Sequence, residues 1–89
     1  MKTSITFKTK SEIVSAAIID RNSTYSYGTL RELAIEWHNS DDVKINKIGT
    51  ASELESDGYV HHYDMYETYV DSGSVDYAYF AINTGCEEA

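Results

Sequence analysis

Two long tyrosine-bearing runs, residues 59–70 and 75–84, flank the tetrapeptide Asp71-Ser72-Gly73-Ser74. This arrangement restricts the fold more than any other feature. Gly73 is free to take positive φ, and the tetrapeptide has the chemistry of a hairpin turn. A two-residue turn at Ser72-Gly73 pairs Val70 with Val75 and Met65 with Phe80. One face then collects Tyr63, Met65, Tyr69, Ala78, Phe80 and Ile82 and reads as core. The other collects Asp64, Tyr66, Thr68, Tyr77 and Tyr79 and reads as half exposed. A slip of one residue exchanges the two faces, so this assignment depends on the turn.

The remaining elements are shorter. Residues 3–8 alternate Ile5 and Phe7 with Thr6, a strand pattern. Thr9-Lys10-Ser11-Glu12 matches a capping box and is followed by Ile13, Val14, Ala16, Ala17, Ile18 and Ile19. Apolar nearly all round, residues 12–20 read as a buried helix, although their β-branched content also suits a strand. A second capping box, Thr29-Leu30-Arg31-Glu32, opens a helix to about Asn39, with Leu30, Leu33, Ala34 and Trp37 as its core stripe. Val43 and Ile45 alternate with Lys44 and Asn46 in a strand ending near Gly49, and residues 50–58 form an acidic connection. The expectation is a single α+β domain over residues 1–89. Two helices pack on a three- or four-stranded antiparallel sheet in the order β-α-α-β-β-β.

Charge is distributed unevenly. Residues 48–89 contain nine carboxylates and no lysine or arginine, whereas all seven basic residues lie in the first 47 positions against six acids. The net charge is −8. Folded surfaces ordinarily intersperse the two signs, and a one-signed field of this size suits a basic partner. Hydrophobic content of 42% is too high for a disordered acidic tail. Eight tyrosines against two phenylalanines and one tryptophan supply contact area with polar tips, a composition common at interfaces and also in plain strands. The single Cys86 excludes an internal disulfide and fits a reducing compartment. Without an apolar span or a signal-like N-terminus, the expected location is the cytoplasm of a bacterial host, with no membrane contact.

Catalytic constellations fail one after another. His61 and His62 with Asp64 and Glu67 suggest a metal, but adjacent strand residues point to opposite faces. Glu53-Leu54-Glu55-Ser56-Asp57 lacks the spacing of a calcium loop. Cys86 sits beside Glu87 and Glu88, which disfavour its thiolate. No phosphate loop or nucleophile elbow is present. A non-enzyme without metal or cofactor follows. Direct nucleic-acid binding also fails, because the second helix offers Arg31 against Glu32 and Glu36.

Alternate strand residues lie about 6.6 Å apart on one face, close to the separation of neighbouring phosphates on a nucleic-acid strand. Glu53, Glu55 and Asp57 have that spacing if extended, and Asp64, Glu67, Asp71 and Asp76 continue the track, with Asp41 and Asp42 from the preceding junction. Tyr66, Tyr77 and Tyr79 add contact area beside it. These ten residues, from Glu53 to Tyr79, are the candidate partner-binding set. In size, acidity, tyrosine richness and lack of catalytic groups, the chain resembles the small inhibitors encoded by phages and plasmids: anti-restriction, anti-CRISPR and glycosylase-inhibitor proteins. The resemblance implies a DNA mimic or groove blocker acting on a basic nucleic-acid-binding protein such as a nuclease or CRISPR effector. The alternative is an adaptor or immunity-type module, monomer or homodimer, that uses a tyrosine-rich sheet face.

Overall fold

The computed structural model describes residues 4–9, 12–19, 26–71 and 76–89. Among them are five strands and one helix: β1 (Ser4–Lys8), β2 (Ile13–Ile19), α1 (Ser26–His38), β3 (Val43–Leu54), β4 (Tyr59–Val70) and β5 (Ala78–Glu88). The strands form one mixed sheet in the order β1-β2-β5-β4-β3. Only β2 and β5 are parallel. No helix among the described residues is long and apolar enough to cross a membrane.

The expected first helix is therefore a strand, and the expected β-α-α-β-β-β order with a fully antiparallel sheet is overturned. The reason is visible in β2 itself. It pairs with β1 and β5 and alternates in burial: Val14 and Ala16 are buried on one face, while the other exposes Ile13, Ser15 and Ala17 and buries Ile19. Ile13, Ala17 and Ile19 make that second face apolar too, so the sequence looks apolar nearly all round, as a buried helix does. Its β-branched residues decide the matter. The Thr9 and Glu12 of the supposed capping box do bond to each other, but across a hairpin turn. The Thr9 N–H donates to the Glu12 carbonyl at 2.8 Å, and the Glu12 N–H donates to Thr9 Oγ1 at 3.1 Å.

Helix α1 ends where Asn39 takes φ +54° and the Ser40 N–H reaches back to the Ile35 carbonyl at 3.2 Å. It buries Leu30 and Ala34 against Ile19, Val43, Ala78, Phe80 and Ile82, with Ile35 packed beside them. Trp37, expected in the core, is 57% exposed, and Leu33 is exposed as well. The buried stripe is rotated toward Ile35 and His38, which leaves Leu33 and Trp37 on its flank. His38 anchors the helix end to the sheet. The Thr68 hydroxyl is wholly buried and donates to the Ala78 carbonyl at 3.0 Å. Its lone pairs are thus left to accept from His38 Nε2, also at 3.0 Å.

The β4 boundaries match expectation, but the β4–β5 register is one residue off. Thr68 lies opposite Ala78 and Met65 opposite Ala81, so Phe80 faces Tyr66 instead of Met65. The supposed turn at 72–73 lies outside the described residues. The slip moves Ala78, Phe80 and Ile82 to the helix side of the sheet and Tyr63, Met65 and Ala81 to the other.

Among the described residues no helix or second sheet covers that second face, yet Ile5, Ala16, Tyr63, Met65 and Ala81 form a buried cluster on it. The sheet covers it by coiling on itself. An extra residue, Ile48 in β3, and another in β5 opposite the His62–Tyr63 step interrupt the ladders, and such bulges increase bend and twist. The opposite edges then approach: a Cβ on Gly49 of β3 would lie 3.0 Å from Phe7 Cζ of β1. Gly49 also has φ +155°. Absence of a side chain there lets the ring rest on backbone.

Gly49→Ala should therefore destabilise the protein by about 1–3 kcal/mol, through overpacking and backbone strain together. Phe7→Leu in the same chain should recover part of the loss, so the two costs combine less than additively in chemical denaturation. Strict additivity would break the proposed contact. Trp37→Ala should cost less than about 1 kcal/mol, as expected for an exposed site away from special features.

Candidate functional site

The coiled face leaves a trough open between the β1–β2 turn and β3. Its floor carries Tyr77 and Tyr79, and its walls include Phe7, Thr9 and Glu12 on one side and Ile48 and Glu67 on the other. Its volume is about 530 Å³. Each element sets one part. Bulging turns Ile48 inward, toward the cluster on this face. Strand alternation places Glu67 and Tyr69 on the same face as Met65. Pairing with β5 brings Tyr79 opposite Glu67.

Three tyrosines form a row. The Tyr69 and Tyr77 rings are 5.5 Å apart at 53°, and those of Tyr77 and Tyr79 are stacked at 6.3 Å and 25°. Such separations are those of favourable aromatic pairs. Asn46 Nδ2 donates to Glu67 Oε1 at 3.4 Å, which orients this carboxylate beside the row. The Tyr79 hydroxyl holds its proton more tightly than an ordinary phenol. Burial is the main cause, followed by the negative charges of Glu12 and Glu67.

Of the candidate partner-binding residues, the structure thus brings together Glu67, Tyr77 and Tyr79. Tyr66 lies on the helix side, packed against that core, so the sheet separates it from the other two. Asp64 is also on that side, in an ion pair with Lys47 at 3.3 Å. Asp71 and Asp76 are exposed at either end of the segment 72–75.

Glu53, Glu55 and Asp57 occupy the opposite end of the sheet, and they do not form an extended i, i+2, i+4 track. β3 ends at Leu54, and residues 55–58 turn, with the Gly58 N–H donating to the Glu55 carbonyl at 3.0 Å. Glu53 lies across the ladder from His61. Asp57 accepts the Tyr59 N–H at 2.9 Å and faces His61 Nε2 at 2.8 Å. Glu55 faces His61 Nδ1 at 3.3 Å and accepts the Tyr63 hydroxyl at 3.0 Å. With a carboxylate at each ring nitrogen, only the doubly protonated imidazole donates to both. The Tyr59 N–H, and then His61, hold the Asp57 carboxyl below its usual range.

Catalytic use of this cluster is disfavoured by the same contacts. Cys86 pairs in register with His61 on β5. Both ring nitrogens of His61 face carboxylates, so neither is available as a base for the thiol. His62 lies on the other face, between Ser52 Oγ at 2.7 Å and Glu87 at 2.9 Å. No group of three His, Cys, Asp or Glu residues among the described ones has the geometry of a metal site.

The sequence reading missed Phe7, Glu12, Ile48 and Tyr69 as neighbours of the trough. Tyr69 had a signal, since the one-residue slip that moves it out of the helix-side core was foreseeable. The others meet only through the coil of the sheet.

Tyr63 provides a test. It is 3% exposed, and its hydroxyl is pushed up to about 12 by burial first and then by the hydrogen bond and charge of Glu55. Below pH 10 both folded and unfolded states keep the proton. Between about 10 and 12 only the unfolded chain releases it, so stability falls by up to roughly 3 kcal/mol as pH rises through this window. Phenolate absorbance should show one tyrosine titrating near 12, and Tyr63→Phe should remove both that step and its share of the alkaline slope. Titration of every phenol together near 10 would contradict the assignment.

No family model matches this chain, and neither a curated protein nor a solved structure is significantly similar to it.

Proposed function

We propose that this chain is a non-catalytic inhibitor that binds a basic, nucleic-acid-handling protein and competes with its nucleic acid. The observation that carries the reading is the trough, where a row of tyrosines meets the Glu12 and Glu67 carboxylates on an open concave face. Aromatic area beside carboxylates is suited to arginine- and lysine-bearing surfaces. The long-range field supports it. Lysine pairs with a carboxylate at Lys44–Asp42 and Lys47–Asp64 among the described residues, and such neutral pairs leave the net charge at −8. Such a field accelerates encounter with a basic partner. In this reading the acidic surface and the tyrosine face are parts of one site. The hairpin carboxylates Glu55 and Asp57 serve the fold.

Affinity capture from a bacterial lysate tests this. The retained proteins should be basic and nucleic-acid-binding, should elute as salt is raised, and should be displaced by duplex DNA. The Glu12→Gln/Glu67→Gln variant should capture them less well, with a weaker salt dependence. Retention unaffected by duplex DNA and by this variant would sink the reading.

A further inference from the structure

We infer that the trough is an arginine pocket: it receives the guanidinium of an arginine side chain projecting from the partner, stacked on the tyrosine row and paired with Glu67 and Glu12. This inference rests on the proposed binding role and specifies its chemistry.

The shape comes first. A trough of about 530 Å³ lies at the lower end of the size range of small-ligand sites, much larger than a single side chain needs. It therefore admits an arginine together with part of the backbone that bears it. Its floor is aromatic and remains accessible, with Tyr77 42% exposed. Tyrosine faces attract cations, and arginine more often than lysine, because the planar guanidinium stacks on a ring while its edge still donates hydrogen bonds.

The charges come second. Glu12 and Glu67 line opposite walls, and Lys8 is the one cation among the described residues that line the trough. Among those residues the carboxylates outnumber the cations by one. Glu67 is held by Asn46 through one oxygen, Oε1. An ionised carboxylate has further acceptor sites, enough for a guanidinium N–H pair. Both glutamates line the trough together with Tyr79, and their charges add to burial in holding the proton on its hydroxyl. A carboxylate or phosphate group would meet those charges as a repulsion. An aliphatic side chain would leave the glutamates unused.

The planar fork distinguishes arginine from lysine. An ammonium is a compact, strongly hydrated charge that gains less from a ring face. The pocket should therefore rank arginine above lysine, which a purely electrostatic acidic surface would not do.

The probe is N-acetyl-arginine amide, titrated into the full chain and followed by proton–nitrogen and aromatic NMR. Shifts should saturate and map to Tyr77, Tyr79, Glu67, Phe7, Thr9 and Glu12. N-acetyl-lysine amide should bind several-fold more weakly. Glu67→Gln should weaken arginine binding about tenfold, the usual scale for losing a charged hydrogen-bond partner. Glu12→Gln provides the same test from the other wall should the first variant perturb the fold. Equal binding of both probes, or shifts elsewhere on the surface, would overturn the inference. If lysate capture persists while the arginine probe fails, this inference falls and the basic-partner reading stands. If the probe binds as described while capture fails, the pocket stands and that reading falls.

Discussion

Contact between Phe7 and Gly49 is the constraint on which the rest of the structure depends. One helix covers one face of a five-stranded sheet, and the other face would be open to water in a flat arrangement. Coiling solves this, and the residues on the inner face are graded to permit it. Ala16, Ala51, Ala81 and Gly49 are small where backbones approach, while Phe7, Tyr63 and Tyr79 fill the wider parts. Closed barrels use the same alternation of small and large interior residues. Here closure is incomplete: β1 and β3 meet through a side chain instead of backbone pairing, and the unfilled part of the gap is the trough.

Acidity serves three different ends in this molecule. At the β3–β4 turn, Glu55 and Asp57 bind His61 and the Tyr63 hydroxyl, so charge there holds the hairpin together. On the helix side, Asp64 and Glu87 face Lys47 and His62. Around Tyr79, by contrast, carboxylates face aromatic rings across an opening. Net charge by itself therefore overstates how much of the surface is available for recognition.

How much was legible in the sequence follows from how local each signal was. β4 and the first half of β3 could be read because their alternation is set by neighbouring residues. The helix could be read, but not its rotation. Leu30, Leu33, Ala34 and Trp37 span a wide arc, and only tertiary contact decides which edge of that arc meets the sheet. β2 was ambiguous because its exposed positions also carry apolar Ile13 and Ala17, which hides the alternation of its burial. The β4–β5 register rested on four residues of turn, and a one-residue error exchanged both faces. As for the site, Glu12 and Glu67 are separated by most of the chain and come to one trough through the β2–β5 pairing and the coil of the sheet. No local pattern records such a meeting.

The parallel ladder is short. Among the described residues, β2 joins β5 through Ala17, Ile18 and Ile19, while β1 pairs only with β2. The first two strands are thus joined to the sheet less by backbone pairing than by side chains: Ile5 and Ala16 pack with Tyr63, Met65 and Ala81, and Ile19 packs with Leu30 and Ala34 of the helix. Buried apolar contact of this kind holds them where the ladder is short. Since these strands also supply one wall of the trough, an occupant touching both walls would tie them to β4 a second time. By linkage, its binding would stabilise the attachment of the first two strands to the rest of the sheet.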